Sequence, residues 1–133
     1  MRKIRPKNFE DKILAAISHF SNVIVAIIVW AVQKDKSKYV RFQAIQAAAY
    51  HILTSIINAI IFTVALAYIF TKIFNSESIE IREDTLWKIA SPFLLYILVL
   101  WLTRLVATIS VLLGKDFRYP WLGKRVEKFL NIK

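Results

Sequence analysis

The sequence predicts an all-α integral membrane protein: three transmembrane helices followed by a short amphipathic helix lying in the interface. Two observations carry that expectation. Three mostly apolar runs, at about 13–32, 42–70 and 86–113, are each long enough to cross a ~30 Å hydrocarbon layer. The Lys and Arg residues gather at the ends of those runs, where headgroup phosphates neutralise them. Composition agrees, with 57% hydrophobic residues, a mean hydropathy of +0.49 and only nine acids. A single membrane domain over residues 1–133 fits the length.

Composition also excludes chemistry. The chain has no cysteine, which removes disulfides and thiolates from consideration. The net charge of +10 invites a nucleic-acid reading. The cations flank apolar runs, however, and no nucleic-acid-binding motif accompanies them, so no nucleic acid is expected. The expected partners are the bilayer, its anionic headgroups, and further copies of the chain or other membrane subunits. No cofactor or metal is expected.

Residues 1–12 carry five Lys and Arg residues and Pro6, like the charged head of a signal peptide. The apolar run that follows is longer than a signal core, contains Asn22 and ends without a small-residue cleavage site, so it is read as a retained span. Ala15, Ser18, Asn22 and Ala26 fall on one face of that helix, the small and polar residues a membrane helix shows its neighbour. Residues 34–41 form a short basic loop. In the second span Ala44, Ala47, Ala48, His51, Thr54, Ser55 and Asn58 trace one stripe. Residues 71–85 hold the acidic connection, with Glu77, Glu80, Glu83 and Asp84. The third span contains Pro92 in its first two turns and stops at Gly114. Leu122, Val126, Phe129 and Leu130 share one face of the tail, residues 114–133.

Three crossings put the basic loop and the tail on one side with ten Lys and Arg, against eight on the other. The positive-inside rule then favours a cytoplasmic C-terminus in a multi-pass protein of the cell membrane.

Arg104 is the most informative single residue. It lies ten positions before Gly114, roughly 15 Å of helix from the nearer end. A central arginine costs ~2.5–3.5 kcal/mol on insertion scales and needs a partner or water. No Asp or Glu lies within a span. Asn22, His51, Asn58, Thr108, a free carbonyl, a lipid phosphate or another chain's carboxylate are the candidate partners. Two readings stay open: a lipid, anion or subunit contact, and an arginine that snorkels to anchor its helix. His19 and His51 sit early in antiparallel spans, which places them near opposite membrane faces. A shared metal site is not expected, and each is assigned a helix–helix hydrogen bond. No Gly-rich phosphate loop, catalytic triad or HExxH appears, so the chain is not read as an enzyme.

The stretch Tyr39-Val40-Arg41-Phe42-Gln43-Ala44-Ile45-Gln46-Ala47 resembles the twenty-kilodalton subunit family of the Tic translocon of the chloroplast inner envelope, and more closely its small bacterial and archaeal relatives. Ala15 to Phe20 and Gly114 to Pro120 support the resemblance. It implies a helical membrane protein and, for plastid members, a part in protein transport through a multisubunit complex. Those members look like four-span proteins, and Gln43 stands where Asn or His is expected. Apart from the resemblance, Arg41 is placed to meet a lipid phosphate, Phe42 to anchor at the interface, and Gln43 and Gln46 to face a neighbouring helix. With Asn22, His51, Asn58, Arg104, Arg118 and Tyr119 these are the candidate packing, partner or lipid contacts.

The function expected is that of a non-catalytic scaffold or subunit of a larger membrane complex, translocase-like by resemblance. The alternative is a small oligomeric channel or carrier lined by His51, Thr54, Ser55 and Asn58.

Overall fold

A computed structural model describes residues 4–75 and 83–131. Those residues form five helices and no strand: α1 (Phe9–Phe20), α2 (Val23–Gln33), α3 (Lys38–Asn75), α4 (Glu83–Leu112) and α5 (Leu122–Phe129). The acidic stretch 76–82, with Glu77 and Glu80, lies outside the described residues. The chain divides into two compact units, one of residues 1–53 and 102–133, the other of residues 54–101.

Among the described residues two helices, not three, are long and apolar enough to cross a membrane: Lys38–Thr71 within α3 and Ala90–Leu112 within α4. The most apolar 18-residue stretch of each is almost wholly exposed, and its surface carries Ile, Leu, Val and Phe. A soluble protein would bury such helices; lipid is the solvent that suits them.

The expected first span is instead a helical hairpin. Ser21 and Asn22 are both extended, and the Asn22 Oδ1 accepts from the Val25 amide at 3.1 Å, capping α2. The chain then doubles back, with α1 and α2 packed together. Lys7 Nζ donates to the Lys36 carbonyl at 3.4 Å. Had the segment run straight, roughly 40 Å of helix would separate those residues. At 12 and 11 residues, α1 and α2 are each about 17 Å long, well short of a crossing.

The larger unit holds the hairpin, the first turns of α3, the last turns of α4, and α5. Ser37 caps α3, its Oγ accepting from the Val40 amide at 3.3 Å, so Tyr39 to Phe42 are helical and the loop shrinks to residues 34–37. Ala15, Ala16, Val29, Tyr39, Val40, Ala44 and Val111 form its main apolar cluster, and Ala26, Ala47 and Ala48 a second. Alanines there let backbones approach closely, which is how helices gain contact when lipid removes the hydrophobic drive between them. In the smaller unit, α4 continues unbroken through Pro92, which sits in its third turn. An apolar groove of about 470 Å³ lies there between Ile61, Phe62 and Ala65 of α3 and Ala90, Pro92, Phe93 and Tyr96 of α4.

Candidate functional site

The polar side chains of the larger unit converge on a buried centre between α1, α3 and the segment joining α4 to α5. α1 supplies His19, which is fully buried. Its Nε2 lies 3.0 Å from Gln43 Oε1 and its Nδ1 3.2 Å from the Tyr119 hydroxyl. An amide oxygen only accepts, so a neutral His19 carries its proton on Nε2, and Tyr119 donates to Nδ1. Burial lowers the His19 pKa to about 4, with the Gln43 bond opposing and the nearby His51 adding to the drop. The imidazole is therefore neutral at pH 7.

α3 supplies two glutamines one helical turn apart, both fully buried. Gln43 Nε2 donates to the Phe117 carbonyl at 3.1 Å and to Asp116 Oδ1 at 3.4 Å. Gln46 Nε2 donates to the same Phe117 carbonyl at 3.0 Å, and Gln46 Oε1 accepts from the Tyr119 amide at 3.3 Å. A segment with no secondary structure thus has its backbone groups satisfied by side chains, as burial demands.

Tyr119 stacks on Tyr50, the ring centroids 4.2 Å apart and the planes within 3°. Burial first, and the neighbouring Tyr50 next, hold its phenol above the ordinary value, with the Arg104 cation opposing. Trp121 follows with φ of 77°, and the Leu122 amide donates to the Pro120 carbonyl at 3.0 Å. This is a γ-turn in a strained region for a bulky residue. It turns the chain into α5, where Gly123 packs so closely that an added Cβ would lie 2.9 Å from Arg118 Cβ.

Arg118 closes the outer edge. It contacts Asp116 Oδ2 through Nε and Nη2, at 3.1 and 2.8 Å, and Glu127 Oε2 through Nη1 at 2.8 Å. Its guanidinium also lies 5.1 Å from the Phe42 ring centroid. The tail's only two acids thus hold its one nearly buried arginine.

The structure brings Phe42, Gln43, Gln46, Arg118 and Tyr119 together directly. Phe42 is fully buried under Arg118, so it is not an interfacial anchor. His51 lies at the margin, its Nε2 donating to the Ser18 carbonyl at 3.2 Å. That contact corrects the expectation that His19 and His51 sit near opposite faces, because the hairpin returns α1 to the same end as the start of α3. Arg104 is half-buried and acts electrostatically on Tyr119; its Nε has no hydrogen-bond partner. Arg41 turns outward to the Lys34 carbonyl at 3.3 Å. Asn22 caps α2, and Asn58 is exposed on α3 in the other unit. Of the channel stripe, His51 and Thr54 are buried whereas Ser55 and Asn58 are exposed. The helix–helix hydrogen bond expected of His19 is the one to Gln43, whereas Tyr50, Asp116 and Glu127 were missed as members of the centre. The available signal was two lone acids in an otherwise basic tail.

The comparisons decide the family. The model of the magnetosome magnetite crystal formation protein family, MamF/MmsF, matches residues 10–126. The chain belongs to the MamF/MmsF family. That match covers every residue of the buried centre except Glu127 and overturns the Tic resemblance, which rested on three short stretches. With it go the Tic-like and protein-transport readings. No curated protein and no solved structure matches the chain. This MamF/MmsF member is a helical membrane protein by family and by its two long, lipid-suited helices.

Proposed function

We propose that the protein is a non-catalytic scaffold of the membrane in which magnetite crystals form, acting as a packed structural unit together with further copies of itself or other membrane subunits. One observation carries this reading beyond the family match: the polar centre closes on itself. His19, Gln43, Gln46, Asp116, Arg118 and Tyr119 are bonded to one another and to backbone, so they join helices and leave no pair poised for acid–base work. The exposed basic residues of α5, beside Trp121 and Phe129, suit anionic headgroups on the adjacent leaflet.

The test is complementation of a magnetite-forming cell that lacks the chain. Re-expression should restore crystal size and number in electron micrographs, and Ser55→Ala with Asn58→Leu should restore them equally. Unchanged crystals on re-expression would end this reading, and loss of function in the Asn58 variant at normal protein level would favour a conducting path. A purified protein that is strictly monomeric and carries no other subunit would remove the scaffold.

A further inference from the structure

The hairpin brings three distant stretches of the chain to one end of the larger unit. Lys7 Nζ reaches the Lys36 carbonyl, the Ile4 amide donates to Asp116 Oδ2 at 3.2 Å, and the Tyr39 hydroxyl donates to the Lys115 carbonyl at 2.9 Å. The N-terminal segment, residues 34–37 and the segment after α4 therefore meet. Their cations meet with them. Of the fifteen described Lys and Arg residues, twelve lie in residues 5–12, 34–41 and 115–128; Lys72 and Lys88 lie towards the other ends of α3 and α4, and Arg104 lies within α4.

We propose that α1 and α2 form a re-entrant hairpin that dips into the cytoplasmic leaflet and returns. The protein then crosses the membrane twice, with its N-terminal segment, residues 34–37 and C-terminal tail all facing the cytoplasm.

The depth of the hairpin supports this. Its tip is level with His51, whose ring holds the Ser18 carbonyl. His51 is thirteen residues into α3, roughly 20 Å from Lys38, and the apolar stretch of α3 runs about 30 Å further to Thr71. The tip is also built to stand at that depth. Asn22 caps α2, and the Ser21 amide donates to the Ile17 carbonyl at 2.9 Å, so the ends of both helices keep partners where water is scarce. Ile17, Phe20, Ile24 and Ile28 are exposed on the outside of the hairpin, an apolar surface suited to acyl chains.

Charge makes the orientation decisive. With three crossings the Lys and Arg residues divide ten to eight, which barely biases insertion. With two crossings the same sequence divides fifteen to three, with Arg104 counted on neither side. Anionic headgroups on the crowded side offset the repulsion among those cations.

The absence of cysteine makes the test direct. Single variants Glu10→Cys, Lys36→Cys, Lys128→Cys and Ser78→Cys are probed with a membrane-impermeant maleimide in intact cells and in inverted vesicles. Glu10, Lys36 and Lys128 are exposed in the folded chain, so these substitutions leave the core untouched. The first three should react only from the cytoplasmic side and Ser78→Cys only from the opposite side. Glu10→Cys reacting with Ser78→Cys, opposite Lys36→Cys, would restore three crossings and overturn the proposal. So would the first three reacting together from outside, or all four from one side.

Discussion

His19 Nε2 donates to Gln43 Oε1 at 3.0 Å across 24 positions of sequence, and this bond ties the hairpin to the first long helix. Replacing Gln43 with Leu strips the acceptor from a fully buried imidazole. It also takes one of the two donors from the Phe117 carbonyl. A buried donor left without a partner costs about 1–3 kcal/mol, so thermal unfolding in detergent should shift down by several degrees. Gln43→Glu should be worse, because an acceptor-only side chain would face both the Phe117 carbonyl and Asp116.

The same imidazole gives stability a pH dependence. With a folded pKa near 4 against the ordinary 6.5, the unfolded chain binds more protons between those values. Stability is then full above pH 6.5 and falls as pH drops towards 4. Melting curves at pH 7 and pH 5 should separate in the wild type and draw together in His19→Gln.

Arg118 serves two carboxylates and one ring at once, which a lysine ammonium cannot do. Arg118→Lys should therefore behave more like Arg118→Ala than like wild type. Each leaves two nearly buried acids short of donors, at about 3 kcal/mol. Limited proteolysis should cut between α4 and α5 in both variants and spare the parent.

Gly123→Ala asks for space that is not there. The new Cβ would sit 2.9 Å from Arg118 Cβ and 3.0 Å from Gln46 Oε1, two groups already fixed by other bonds. Overpacking of this kind costs about 1–3 kcal/mol. The tail should detach, and Trp121 fluorescence, read against the remaining tryptophans mutated to Phe, should shift.

Lys124, Arg125 and Lys128 are exposed beside Trp121 and Phe129. Converting the three to Gln should weaken pull of the purified chain towards anionic over neutral lipid in nanodisc exchange. Raising salt should reduce the wild-type preference towards that of the variant.

The long apolar helices and the small-residue and glutamine face of α3 were legible in the sequence, because both are periodic and local. The hairpin was not. Two helices of 12 and 11 residues, read through a hydropathy window, add up to one span, and averaging hides the two extended residues between them. The pair Ser21-Asn22 inside an apolar run was the visible sign, since both residue types prefer to start a helix rather than continue one. The buried centre was half legible. Gln43 and Gln46 stand out as amides on a packing face, but the Tyr119 hydroxyl lies 100 positions from His19, and no local pattern announces such a pairing.

That separation sets the order in which the protein is completed. The side chains of Gln43 and Gln46 enter the membrane with α3, yet the carbonyl that both require belongs to Phe117, 71 to 74 residues later. At ordinary rates of synthesis this leaves the two amides waiting roughly 4–15 s for that carbonyl. During that interval the nascent chain is a substrate for insertion chaperones and for proteases alike. A message truncated after α4 would encode both long helices and still yield a protein that cannot close.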